Sequence, residues 1–218
     1  MSCIKLAACA AALGLGCLAG ASTALAVHLD YYNRIADPSF EGTLTFDGAP
    51  FVGTWEGFSG DPVASSEFTS NMPRTGAQSL ELNIDQTANS FAGAFQDAVL
   101  DAGSAGKTAY FSGWHKATGE AASEIRVEWR DSVAGVEVSR TPNLSPMLST
   151  DFEEFIVSAE IPAGADSARL VYAIQSFGGV LTQQVFVDDV NFNYAPEPVS
   201  AGLAALALLS VVARRGRD

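Results

Sequence analysis

Glu124-Ile125-Arg126-Val127-Glu128-Trp129-Arg130 is the stretch that decides the fold class. In an extended chain Ile125, Val127 and Trp129 fall on one side, and Glu124, Arg126, Glu128 and Arg130 fall on the other. That period of two describes an antiparallel strand with one buried face and one solvent face laced with opposite charges. No long stretch of the chain has the 3.6-residue period of a surface helix. Working outward, short β-rich runs predict further strands over 78–84, 91–99, 107–117, 134–140, 152–160, 167–177 and 184–194. Turn chemistry separates them at Gly60-Asp61-Pro62, Ala102-Gly103-Ser104, Pro162-Ala163-Gly164 and Gly178-Gly179. Eight or more such strands predict an all-β fold, a single β-sandwich or jelly roll.

The chain has 218 residues, with 25 acidic against 12 basic side chains and a formal net charge of -13. An acidic balance of this size excludes nucleic acid as a main partner, because phosphate binding needs a basic face. The three cysteines, Cys3, Cys9 and Cys17, all stand near the start, so the rest of the chain has neither a disulfide framework nor a thiolate metal site. His28 and His115 are too few for a multi-histidine centre.

Both ends read as addresses. Residues 1–26 have a positive start at Lys5, an apolar run from Leu6 to Leu18, and the small-x-small sequence Ala24-Leu25-Ala26 before Val27. That is a secretory signal peptide whose helix is removed with every cysteine. At the other end Pro196-Glu197-Pro198 is followed by the apolar run Val199 to Ala213 and then by Arg214-Arg215-Gly216-Arg217-Asp218. A helix of about fifteen residues is roughly 22 Å long, short for a bilayer core of about 30 Å. The arginines would stay on the cytoplasmic side.

The tripeptide, the short apolar helix and the basic tail together closely resemble the PEP-CTERM sorting signal of Gram-negative bacteria. The resemblance covers all of 196–218 and rests on Pro196, Glu197, Pro198, Arg214 and Arg215. It implies transient membrane insertion, processing by an exosortase, and a destination at the cell surface or in an exopolysaccharide matrix. An ordinary C-terminal membrane anchor is the plainer alternative. Between the addresses, residues 27–195 form one expected domain, with eight basic and 23 acidic residues and a net charge of -15.

A second resemblance runs through that domain. Asn33-Arg34-Ile35-Ala36-Asp37-Pro38-Ser39-Phe40-Glu41, Thr75-Gly76-Ala77-Gln78-Ser79-Leu80-Glu81-Leu82, Phe111-Ser112-Gly113-Trp114-His115-Lys116 and Val185-Phe186-Val187-Asp188-Asp189-Val190 occur in this order. They resemble segments of galactose-binding-like jelly rolls of the family 4/9 carbohydrate-binding type. The resemblance implies non-catalytic binding of an extracellular polysaccharide. It also implies a structural calcium, held by Glu41 and Asp188 with backbone carbonyls near Gly76 or Ser79. Alternation places Phe186, Asp188, Val190 and Phe192 on one face, taken as the core face, where a carboxylate needs a partner. The alternative to calcium is that Asp188 caps a turn or pairs with an arginine such as Arg34.

Sugars stack their C–H faces on aromatic rings, so the three tryptophans are candidates. Trp129 belongs with Ile125 and Val127 in the core. Trp55 lies with Gly57 and Phe58 in a stretch that reads as irregular and Gly-rich, open to an end of the sandwich. Trp114 shares a face with Tyr110, Ser112 and Lys116. Core packing is the default reading for both Trp55 and Trp114, and the sugar platform is its alternative. Arg126, Glu128, Arg169 and Gln175 are candidate polar partners on outer sheet faces, and a plain solvated face is their alternative. No G-x-S-x-G elbow occurs. The neighbours Glu153-Glu154 and Asp188-Asp189 point to opposite faces of their strands, so neither pair makes a two-carboxylate site. The expected protein is therefore not an enzyme. The rival reading is a purely structural matrix protein with no specific sugar.

Overall fold

The structure is a computed structural model and describes residues 33–51, 53–60, 63–85, 90–119, 122–176 and 182–194. The two terminal addresses, with their helices and sorting motif, and the turns expected at Asp61-Pro62 and Gly178-Gly179 lie outside the described residues. Eleven strands follow one another. They are β1 (Leu44–Thr45), β2 (Trp55–Ser59), β3 (Ser65–Thr69), β4 (Ser79–Ile84), β5 (Phe91–Val99) and β6 (Thr108–Gly119), then β7 (Ala122–Asp131), β8 (Val136–Arg140), β9 (Glu153–Glu160), β10 (Ser167–Gln175) and β11 (Gln183–Tyr194).

They build two sheets, a six-stranded one in the order β1-β2-β5-β10-β7-β8 and a five-stranded one in the order β3-β4-β11-β6-β9. All pairings are antiparallel except β1 with β2. The eight runs expected from the sequence are β4 to β11. The run expected over 134–140 starts later, because Gly135 takes φ 70 in the hairpin turn and donates its N–H to the Asp131 carbonyl. The turns at Gly103 (φ 82) and Gly164 (φ 88) fall where expected.

The core lies between the sheets. Ile125, Val127 and Trp129 face inward, as their alternation requires, with Leu170, Tyr172 and Ile174 beside them on β10. The five-stranded sheet answers with Leu80, Leu82, Phe111, Phe155, Val185 and Val187. Burying each large apolar side chain contributes roughly 1.5–3 kcal/mol. On β5 the inward apolar residues are small: Ala92, Ala94 and Ala98 are buried, with Gln96 between them bonded to the backbone of Ala36. Phe91 and Phe95 therefore alternate outward, away from the core.

Two expectations are corrected. Trp55 does not stand in an irregular stretch. It opens β2, is 1% exposed, packs on Phe40 at 4.9 Å, and donates its indole N–H to the Asp37 carbonyl at 3.0 Å. Nor does one face of β11 carry Phe186, Asp188, Val190 and Phe192 together. Asp188 sits opposite Trp114 while Asn191 sits opposite Ser112, so three residues of β11 span two of β6. That extra residue is a β-bulge, with Asp189 at φ 48, and it swaps the faces. Val185 and Val187 point into the core before the bulge, and Val190 and Phe192 do so after it. Asp188 thus projects from the outer side of the sheet. Gly113 lies opposite the bulge, where an added Cβ would stand 2.7 Å from Val190 and 2.8 Å from Phe155.

Candidate functional site

The outer face of the six-stranded sheet collects aromatic, amide and guanidinium groups. Phe58 of β2 pairs beside Gly93 of β5, and its ring lies over that glycine, since a Cβ there would stand 2.4 Å from the ring. Phe91 lies over Gly60 in the same way, 1.9 Å from where a Cβ would be. A glycine beneath each ring lets it lie along the sheet and turn a face outward. Ring centroids step from Phe51 to Phe95 at 4.8 Å, from Phe95 to Phe58 at 6.3 Å, and from Phe58 to Phe91 at 6.3 Å. Phe51 is 37% exposed and Phe91 36%.

Polar groups border this stripe along β10 and β7. Gln175 pairs with Phe91 across the strands, and Val171 pairs with both Phe95 and Arg126. Arg169 grips Asp97 with two bonds of 2.7 and 2.8 Å and stacks its guanidinium on Phe95 at 4.0 Å. Arg126 bonds Glu128 at 2.8 Å and Glu124 at 3.3 Å. At one end, Phe51, Glu56, Phe95, Asp97, Arg130 and Arg169 line a recess of about 500 Å³.

The five candidate ligand residues are dispersed. Arg126 and Gln175 stand on this face, half-buried beside the phenylalanine stripe. Trp55 is in the core, so its ring offers no surface. Tyr110 and Trp114 lie on β6, on the outside of the other sheet. Tyr110 is exposed, whereas Arg74 stacks over Trp114 at 3.9 Å and is itself held by Asp189. Phe58, Phe91, Phe95 and Arg169 complete the face. Arg169 was among the expected polar partners. The signal for the rings was the parity of 91–99, where Phe91, Gly93, Phe95 and Asp97 share one side.

Glu41 and Asp188 converge, but on amides. Asp188 Oδ2 accepts the N–H groups of Arg74 at 2.7 Å and Thr75 at 3.1 Å, and its Oδ1 accepts that of Asp189 at 2.8 Å. Glu41 Oε1 accepts the N–H groups of Ala77 at 2.8 Å and Gln78 at 3.2 Å. The two carboxylates clamp one loop, residues 74–78, to the N-terminal segment and to β11. Gly76 at φ 62 allows the approach, since a Cβ there would stand 2.0 Å from Glu41. Burial pushes the Asp188 carboxyl up to about 6, against the backbone N–H donors of Thr75, Arg74 and Asp189, which pull it down. Arg34 pairs instead with Asp101.

A calcium ion takes six to eight oxygen ligands. Here the loop turns N–H groups toward the carboxylates, and among the described residues no three His, Cys, Asp or Glu side chains group together. The donor set in this arrangement fits an amide clamp and does not fit the ion. Asp188→Ala leaves three backbone donors without their acceptor, so it is expected to cost about 3 kcal/mol in urea unfolding at pH 7. Added chelator is expected to leave the wild-type Tm unchanged. A fall of several degrees would reassign the pair to calcium.

No family model matches the chain, and no curated protein matches it. Solved structures do. The enzymatically active domain of tailspike protein 4 of bacteriophage CBA120 is similar at a TM-score of 0.58 and 16% identity, over 76% of this chain and 22% of that one. The joined CBM22-1 and GH10 modules of a Clostridium thermocellum endo-1,4-β-D-xylanase, complexed with xylohexaose, are similar at 0.52 and 18%, over 75% and 29%. An arabinose-bound α-L-arabinofuranosidase is similar at 0.53 and 12%, over 75% and 26%. This chain spans less than a third of each of these. At such identities the similarity speaks for the fold alone: the protein is an all-β jelly-roll sandwich.

Proposed function

We propose that this protein is a non-catalytic carbohydrate-binding module on an exported, exosortase-processed chain, and that it holds exopolysaccharide at the surface or in the matrix of a Gram-negative cell. The observation that carries the binding half is the stripe of phenylalanines laid over glycines on the outer face of the six-stranded sheet. Sugar rings would stack on Phe58 and Phe91, while Gln175, Arg126 and Arg169 meet hydroxyl groups; Phe95 lies beneath the Arg169 guanidinium and holds it in place. Similar structures bound to xylohexaose and to arabinose support a sugar as ligand. Export and sorting rest on the order of signals at 1–26 and 196–218. The structural-matrix reading draws on Trp55 and Trp114, one buried and one covered by Arg74. Phe51 and Phe91, exposed along the stripe, favour binding.

Affinity electrophoresis through a panel of polysaccharides, including the producer's own, reads this directly. The wild type is expected to be retarded by at least one of them. Phe58→Ala and Phe91→Ala each remove one stacking ring and are expected to weaken binding about tenfold, or ~1.4 kcal/mol. Trp114→Ala is expected to bind like the wild type. Retardation by no polysaccharide, with the fold intact, would leave the structural role.

A further inference from the structure

We infer that the recess at the Phe51 end of the stripe is a subsite for an anionic sugar, in which Arg130 takes the carboxylate of a uronic acid residue. This deepens the carbohydrate-binding reading and rests on it. Four of the eight basic residues of 27–195 stand on this one sheet, among the acidic residues Glu56, Asp97, Glu124, Glu128, Asp131 and Glu137 of the same strands, so what matters is which of the four is left with free donors. These basic residues are Arg126 and Arg130 of β7, Arg140 of β8 and Arg169 of β10.

The state of each charged group in the recess decides what it can bind. Glu56 is buried, with one oxygen 2.9 Å from Thr45 Oγ1 and the other accepting the Gly48 N–H at 2.7 Å. Asp97 accepts from two nitrogens of Arg169, Nε and Nη2, whose plane rests on Phe95. Asp166 lies nearby and is occupied by the N–H and hydroxyl of Ser132. Arg130 differs. Its guanidinium makes no hydrogen bond among the described residues. Its acidic neighbours are Glu128, with Oε2 3.7 Å from Nη1 and beyond hydrogen-bond reach, and its cross-strand partner Glu137, which is held by Arg140.

Glu128 cannot satisfy Arg130, because it is shared. Its Oε1 already accepts from Arg126 at 2.8 Å, and Arg140 approaches it at 3.8 Å. Three guanidinium groups surround one carboxylate. The Arg130 side chain is 24% exposed and lines the recess. A half-hidden guanidinium fork beside aromatic rings fits two coplanar oxygens, and a uronic acid carries those on the ring that would stack on the exposed Phe51. A sulfate ester offers similar oxygens on another part of the sugar.

Calorimetric titration with matched probes tests the assignment. The probes are oligomers of pectate and of alginate, their carboxyl-reduced counterparts, and a sulfated galactan. The wild type is expected to prefer an acidic oligomer over its reduced form about tenfold, and Arg130→Gln is expected to bring that ratio close to one. Equal binding of acidic and reduced forms, an unchanged ratio in Arg130→Gln, or preference for the sulfated galactan over both acidic oligomers would overturn the uronate subsite while leaving sugar binding in place. Binding to none of the probes or to any other glycan would overturn both.

Discussion

Replacing Trp55 with alanine is expected to lower stability by about 3–5 kcal/mol, the range for removing a large aromatic from a packed core. Three connections meet at this ring. It fills the inner face of β2, packs on Phe40, and ties the N-terminal segment down through the Asp37 carbonyl. Asp37 in turn caps the next turn, accepting the N–H groups of Glu41 at 2.7 Å and Gly42 at 2.9 Å. The substitution therefore leaves a cavity and also loosens the segment that positions Glu41. Urea unfolding measures it. A loss below about 1 kcal/mol, accompanied by loss of sugar binding, would return Trp55 to the surface role first considered for it.

The second large effect is acid-linked. His115 is 2% exposed on the inner side of β6, with Nδ1 2.6 Å from the Tyr172 hydroxyl and its ring against Phe155. Burial pulls its pKa down to about 4 from 6.5. The folded protein keeps this histidine neutral where the unfolded chain protonates it. Its contribution is thus complete above pH 6.5 and is lost as pH falls toward 4, by about 3 kcal/mol in total. Asp188 tilts the wild-type profile the other way: its carboxyl is raised, so its contribution is present near pH 4 and lost as pH rises through 6. The informative quantity is the difference between wild type and His115→Phe. That difference is expected to shift toward the variant by about 3 kcal/mol between pH 7 and pH 4. A difference independent of pH would mean that the histidine is solvated and not part of the inter-sheet core.

Much of the sandwich is legible because its strands alternate cleanly. Residues 124–130 show an apolar inner side and a charged outer side, and β7 obeys them. Other strands hide their orientation. In β5 the phenylalanines face out while the alanines and Gln96 face in, and the opposing sheet fills the core with Leu80, Leu82 and Phe111. Hydrophobicity alone gives the wrong sign there, and so the phenylalanine stripe escapes a search centred on tryptophan. In β11 the alternation is broken by the bulge at 188–191. A bulge depends on cross-strand register, here on Gly113 and the loop at 74–75, which a single strand's sequence does not carry. The clamp between Glu41 and Asp188 shows the same limit. The sequence order brings both carboxylates to one corner, yet whether they meet carbonyl or N–H groups depends on how residues 74–78 turn.

The site follows that division. Arg126 and Gln175 were readable as outward polar residues, whereas Tyr110 and Trp114 belong to the other sheet, one exposed and one covered by Arg74. Arg130 could be placed on a solvent face from alternation alone. That it lacks a saturating partner is a property of three arginines sharing Glu128 across β7 and β8, which only the paired strands reveal.

Backbone amide shifts of the isotope-labelled domain, followed while adding the best-bound oligosaccharide from the panel, locate the bound sugar on the sandwich. The perturbed amides are expected to gather on β2, β5, β10 and β7, around Phe58, Phe91, Phe95 and Gln175. Perturbations centred on Tyr110, Trp114 and Ile156 of the five-stranded sheet would contradict the phenylalanine stripe as the sugar site.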